Sequence, residues 1–236
     1  MIGIIGAMTI EVDELKSRMT DKTVKTIADM EFVSGLLCGT ETVVTVCGEG
    51  KVNAAMCTQA MIMEYKPDII VNTGVGGGLA AGLKIGDIVV ADAVVEHDMD
   101  MSPLGFEKGY ICGIDGIEMK CDKKITELLC KYVAACKIPC RHGIVATGDQ
   151  FISSDEKKQW LRDTFSASVC EMEGGAIGHV CQRNNVPFGV LRAISDGGDD
   201  DAKMSFPEFA ALAAANSVKV MTAFAENFEK GDRIGE

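Results

Sequence analysis

Three carboxylates in this chain stand where apolar runs end. Glu11 follows IGIIG, Glu173 follows residues 167–172, and Asp196 comes directly after PFGVLRAIS. A single carboxylate at a strand end usually caps a helix. Three that converge on one rim could instead act as general acid, general base and stabiliser of a cation. The stretch VCEMEGGAI (residues 169–177) sharpens the question, because Met172 separates Glu171 from Glu173 where a strand should give way to a helix. If the strand continues that far, alternation turns Glu171 away from Met172, and its role stays open.

Other chemistries fit less well. GVGGG at 74–78 is not a dinucleotide fingerprint, because Leu79 occupies the last glycine position, and GEGKVN at 48–53 lacks the Walker spacing. The glycine run suits either a close approach of backbone N–H groups to a neutral polar ligand or a tight turn after a strand. HDMD at 97–100 and DGGDDD at 196–201 do not fit a calcium loop. Asp199–Asp201 read as a solvated acidic loop. The three histidines form no Ser/His/Asp or Cys/His pattern, and the ten cysteines contain no C-x-x-C. Many of those cysteines lie in apolar stretches, as small core residues of a reduced, cytoplasmic protein do. Nothing calls for a metal or a redox cofactor.

The acids need a frame. Apolar runs at 2–6, 68–73, 87–95, 142–147, 167–172 and 187–195 read as strands, and 31–38 with 42–47 as a hairpin-like pair. Helical patterns run through AMTIEVDELKSRM (7–19) and cover 51–65 (stopped by Pro67), 123–137, 154–164, 174–185 and 206–229. Residues 97–121 carry no period and form a long loop, of a kind that is usually functional or disordered. Apolar strands alternating with helices predict an α/β protein, a single three-layer α/β/α domain spanning 1–236 with a mixed, mostly parallel twisted sheet. Ligands of such sheets gather at the carboxyl ends of strands, which puts the three acids on one rim. A formal net charge of −12 argues against a nucleic-acid surface. No apolar run reaches the roughly 18 residues of a membrane span, and MIGIIGAM has no signal-peptide pattern.

Taken in order, IGIIGAM with Glu11, GKVNAA, PDIIVNTG, GDIV, TGDQFI, VCEMEGGAIGHVC and VPFGVLRAISD resemble the motifs of the 5′-methylthioadenosine/S-adenosylhomocysteine nucleosidases. That family belongs to the purine nucleoside phosphorylase-like superfamily, and the resemblance runs from residue 2 to about 228. It implies hydrolysis of a purine N-glycosidic bond without a cofactor. Asp196, with Ser195 beside it, would protonate the base at N7. Glu173 would bind the ribose hydroxyls and Glu11 would hold the water. Phe151 would stack on the base and Ile152 would offer it backbone hydrogen bonds. Met8, Met172 and Phe206 would line the sugar and its 5′ substituent, with Gly77 also against the substrate. The resemblance further implies a homodimer in which the 97–121 loop, through Leu104 and Cys112, closes the neighbouring pocket.

Departures from the family pattern fall at the ribose and 5′ ends. Val75 stands where Ser is usual and Glu49 where an apolar residue is usual, while Leu104 and Cys112 replace a common Phe and Pro. Gly174 and Gly175 replace bulkier residues and should loosen the helix start by about 1 kcal/mol each. Two further readings therefore stand beside the main one. One is a purine nucleosidase with an altered 5′ preference, for adenosine or 5′-deoxyadenosine. The other is a nucleoside-binding protein without turnover.

Overall fold

The computed structural model describes residues 1–196 and 206–228. The acidic run Asp199–Asp201 lies outside them. Strand β1 (Ile2–Gly6) is buried along its whole length and lies between β4 (Thr40–Val46) and β5 (Ile69–Gly78), parallel to both. A strand covered on both faces shows no alternation, which is why continuous Ile/Val runs occur here. One face packs on α2 (Lys51–Tyr65) and α5 (Gly174–Asn184). The other packs on α1 (Thr9–Arg18), α3 (Lys123–Ala135) and α6 (Phe206–Asn227). A third apolar cluster seats α4 (Asp155–Phe165) on β8 (Cys140–Thr147) and β9 (Ala167–Glu171).

The sheet is mixed and curls back on itself. β5 pairs in parallel with β10 (Phe188–Asp196), and its last two residues, Gly77 and Gly78, pair antiparallel with Cys170 and Val169 of β9. Between them run β6 (Ile88–Glu96), antiparallel to β10, and β8, parallel to both β6 and β9. β5, β10, β6, β8 and β9 therefore form a ring, and β1 and β4 lead out to an antiparallel arm of β3 (Met30–Leu37) and β2 (Thr20–Ile27).

Two segments differ from the sequence reading. The glycine run 74–78 continues β5 and is neither loop nor turn. It makes the closure possible: a Cβ on Gly76 would lie 2.6 Å from Val169 Cγ1, so only glycine lets β9 approach. β2 was not foreseen, because TDKTVKTI is exposed almost throughout and shows no core-facing period. Within the long 97–121 segment the chain forms a short 3-10 helix (Ser102–Leu104) and β7 (Met119–Lys120), which pairs with β6. No helix among the described residues is long and apolar enough to cross a membrane.

The glycines of α5 are likewise set by packing. A Cβ on Gly175 would lie 2.8 Å from Thr147 Cβ, and one on Gly178 would lie 2.8 Å from Val94 Cγ2 and 2.9 Å from the Phe188 ring. Alanine favours a helix over glycine by about 1 kcal/mol, whereas overpacking a closed interior costs about 1–3 kcal/mol. Gly178→Ala is therefore expected to lower the urea midpoint despite its better helix propensity. A raised midpoint would show that β6 and β10 yield without cost.

Candidate active site

A cavity of about 220 Å³ opens where β1, β5, β9 and β10 end. Its walls carry Glu11, Glu173 and Asp196 together, with Met8, Val75, Gly77, Met172 and Ser195 between them and Glu49, Phe151 and Ile152 at its edges. Phe206 begins α6, but its side chain lies outside the described residues. Leu104 and Cys112 do not line this cavity; both sit exposed in the 97–121 segment of the same chain.

Glu11 and Glu173 are held by backbone, Asp196 by a neighbouring hydroxyl. Glu11 sits in the first turn of α1 and is almost fully buried. Its Oε2 accepts from the N–H groups of Ala7 (2.7 Å) and Met8 (2.9 Å), and its Oε1 from Val75 N–H at 3.0 Å. Gly74 makes the last approach possible, since a Cβ there would lie 2.6 Å from Glu11 Oε1. Burial pushes the Glu11 carboxyl above its ordinary range, against the pull of these N–H donors and of Arg192. Glu173 is the N-cap of α5, and its Oε1 accepts from Gly50 N–H at 2.8 Å. Burial, with the Glu171 charge beside it, pushes Glu173 up to about 7. Asp196 closes β10 and is half-buried, with Ser195 Oγ donating to its Oδ1 at 2.8 Å. Phe151 is 64% exposed at the cavity edge, an aromatic face on the way in.

Glu171 does not face away. It is buried, touches the cavity and pairs with Arg192, which is itself fully enclosed. Glu171 Oε2 also accepts from the N–H groups of Glu173 (3.1 Å) and Gly174 (2.7 Å), so it caps the start of α5. Thr147 Oγ1 donates to its other oxygen and accepts from Gly175 N–H at 2.6 Å. Arg192 also donates to Asn72, whose amide donates to Ile5 O at 2.9 Å. The alternation argument failed because β9 ends at Glu171. A readable signal existed in Arg192, set in the apolar run FGVLRAIS, since a buried arginine demands a carboxylate partner. Gln150 and Cys170 also line the cavity and carried no such signal.

The acids of HDMD do other work. Lys51 Nζ donates to Asp98 Oδ1 at 2.7 Å and to Glu96 Oε2 at 3.0 Å, while Asp98 Oδ2 accepts from Asp149 N–H at 2.9 Å. His97 is buried against Trp160.

Residues 1–226 match the model of the Phosphorylase superfamily. The 5′-methylthioadenosine/S-adenosylhomocysteine nucleosidase of Haemophilus influenzae (strain PittEE) is 42% identical over 217 residues, covering 92% of this chain and 94% of that protein. A crystal structure of the nucleosidase of the same name from Neisseria meningitidis, in complex with methylthio-immucillin-A, has a TM-score of 0.91 at 31% identity, covering 96% of this chain and 99% of that one. The native structure of futalosine hydrolase from Helicobacter pylori has a TM-score of 0.90 at 33% identity, covering 96% and 97%. The chain belongs to the 5′-methylthioadenosine/S-adenosylhomocysteine nucleosidase family of the phosphorylase superfamily.

The Glu171–Arg192 pair is enclosed, so removing one partner leaves a buried charge without compensation, at a cost of about 3–5 kcal/mol. Arg192→Met is expected to lose that much stability in urea unfolding. A loss under about 1 kcal/mol would mean that water or another cation reaches Glu171.

Proposed function

We propose that this protein hydrolyses the N-glycosidic bond of 5′-methylthioadenosine and S-adenosylhomocysteine, releasing adenine and the thioribose product. The observation that carries this reading is the convergence of Glu11, Glu173 and Asp196 on one cavity with Met8 and Met172 between them. A purine leaves poorly as an anion, so Asp196, steadied by Ser195, donates a proton to N7 as the bond breaks. The sugar becomes cationic, and Glu173 accepts from its hydroxyls and stabilises that charge more than it stabilises the substrate. Glu11, fixed by three backbone donors, holds and deprotonates the water. Phe151 and Ile152 receive the base, while Met8 and Met172 face the thioether.

Water is the acceptor, not phosphate. No Lys or Arg is among the described residues that line the cavity, and the Arg192 charge is engaged by Glu171 and Asn72. A phosphate there would meet carboxylates instead of a cation. The same reading makes the protein a cytoplasmic homodimer with one nucleosidase domain. Apolar residues exposed on α2 (Val52, Met56 and Met63) and on the 97–121 segment (Leu104 and Phe106) support a second copy covering them. In that arrangement Leu104 and Cys112 reach the neighbour's pocket. A second reading, an altered 5′ preference, is favoured by Glu49 and Val75 at the cavity.

The test is adenine release from methylthioadenosine, adenosylhomocysteine, adenosine and 5′-deoxyadenosine, with inosine tested for hypoxanthine release, each with and without phosphate. Phosphate-independent cleavage, fastest on the thio-nucleosides, is the expected result. Preference for a 5′-hydroxyl or a bare 5′ carbon would select the second reading, and silence on all five would leave a binding protein. Asp196→Asn should abolish turnover while keeping nucleoside affinity, measured by calorimetry. An Asp196→Asn variant that still turns over would remove Asp196 as the acid.

The Glu173 role requires the carboxylate form, so kcat/KM for methylthioadenosine should rise with pH through about 7. Full activity at pH 5 would exclude an anionic Glu173. The raised value also means that the folded protein holds this proton more tightly than the unfolded chain. This group's contribution to stability should therefore fall as pH climbs from 4.5 to about 7, and thermal denaturation of wild type against Glu173→Gln reads it directly.

A further inference from the structure

Away from the cavity, α3, β6 and β8 bring two thiols, an imidazole and a carboxylate into one cluster. Cys140 Sγ, exposed at the start of β8, lies 3.7 Å from Cys130 Sγ on α3. Cys130 Sγ in turn lies 3.2 Å from His142 Nε2, and His142 Nδ1 lies 3.1 Å from Asp92 Oδ1. A carboxylate only accepts, so Nδ1 carries the proton and Nε2 turns its lone pair to Cys130. Asp92 sits at an irregularity of β6, where the register with β8 shifts between Ala91 and Ala93. Such a bulge re-aims a side chain, here toward His142. The arrangement is that of a nucleophile, a base and the group that orients the base.

We propose that Cys140 and Cys130 form a thiol–disulfide exchange site that takes a low-molecular-weight disulfide such as oxidised glutathione and closes into an intramolecular disulfide. The Cys140 thiolate, on the open side, attacks one sulfur of the small disulfide. A mixed disulfide forms, and one small thiolate leaves and takes a proton from water. His142 Nε2 then takes the Cys130 proton, and the Cys130 sulfur attacks Cys140 Sγ. The second small thiolate leaves and takes that proton from His142. The protein dithiol gives up two electrons and two protons, and the small disulfide becomes two thiols. The sulfurs need to close only from 3.7 Å to about 2.0 Å.

The surroundings support this order of events. Cys140 lies exposed at the start of β8, so its sulfur meets the reagent first. Cys130 is half-buried and placed to resolve rather than to meet the reagent. Cys47, Cys57, Cys121, Cys170 and Cys181 are buried, and burial pushes each thiol up, so they do not compete.

Lys131 and Lys137 separate the two cysteines, so trypsin places them on different peptides. Reduced full-length protein would be treated with oxidised glutathione, quenched by alkylation, digested and mapped by mass spectrometry. The expected result is a Cys130–Cys140 linked peptide pair that appears ahead of adducts on Cys38, which is also exposed. His142→Gln should slow the linkage by roughly tenfold or more and let the Cys140 mixed disulfide accumulate. Cys130→Ser should trap that mixed disulfide outright. Adducts spread evenly over the exposed cysteines, or an unchanged closure rate in His142→Gln, would overturn the proposal. The wild-type map decides selectivity without any substitution, and circular dichroism checks the fold of the variants.

Discussion

The enclosed pair of Glu171 and Arg192 is the constraint on which the rest of the site depends. Three glutamates, Glu11, Glu171 and Glu173, are buried near one another, and without a cation their charges would not coexist in the ionised state. Burial works against the Arg192 charge, but the facing carboxylates hold it protonated. A buried ion pair is weak evidence of net stability, because desolvating both partners costs several kcal/mol per ion. Its contribution here is placement. Glu171 joins the end of β9 to the first turn of α5 and to β10, and Arg192 carries the linkage on to Asn72 and β1. The backbone from which Glu173 projects is fixed by its neighbour two residues back.

The same economy governs the other acids. Glu11 spans the β1–α1 turn and reaches β5, while Glu173 reaches the residue before α2. Glu11 and Glu173 are thus also clamps between elements, held by N–H donors that strands and helix starts leave free. Glycines stand where those carboxylates and strands come closest. Gly74 admits Glu11, Gly76 admits β9 and Gly175 admits Thr147, so the glycine run that resembles a phosphate loop serves close packing of protein on protein. The cost of this arrangement falls on Glu173, whose burial holds it near neutrality. A group poised there can change its charge when a ligand displaces water.

Much of this was legible from residue types alone. Continuous apolar runs named the buried strands, Pro67 ended α2 at Tyr65, and the position of each acid just past a strand named the rim. What stayed hidden had physical causes. β2 is an exposed arm with no face to bury, so it carries no period. The glycine run lacks side chains, and its strand character comes only from the partners on either side. Glu171 was misjudged because alternation assumes that a strand continues, and β9 stops there. The cluster around Cys130 depends on Asp92 of β6, 50 residues from His142 in sequence, and spacing along the chain could not reveal it.

The cavity divides into an enclosed half and a more exposed half, and the division bears on specificity. Glu11, Glu173 and Ser195 are buried and tied to backbone or to a neighbouring acid, so a change there disturbs both fold and chemistry. Glu49 and Phe151 are exposed at the edge, and Val75 contributes only a half-buried side chain. Under the proposed reading, substitutions at Glu49 and Val75 would alter which 5′ group is received while leaving the three acids in place. A fold built this way can keep one reaction while its substrate changes. Relatives named nucleosidase and futalosine hydrolase, of nearly equal structural similarity to this chain, fit that expectation. The carboxylate of Glu49 adds negative charge at that edge, and under the proposed reading it would favour a 5′ substituent that donates hydrogen bonds or carries positive charge.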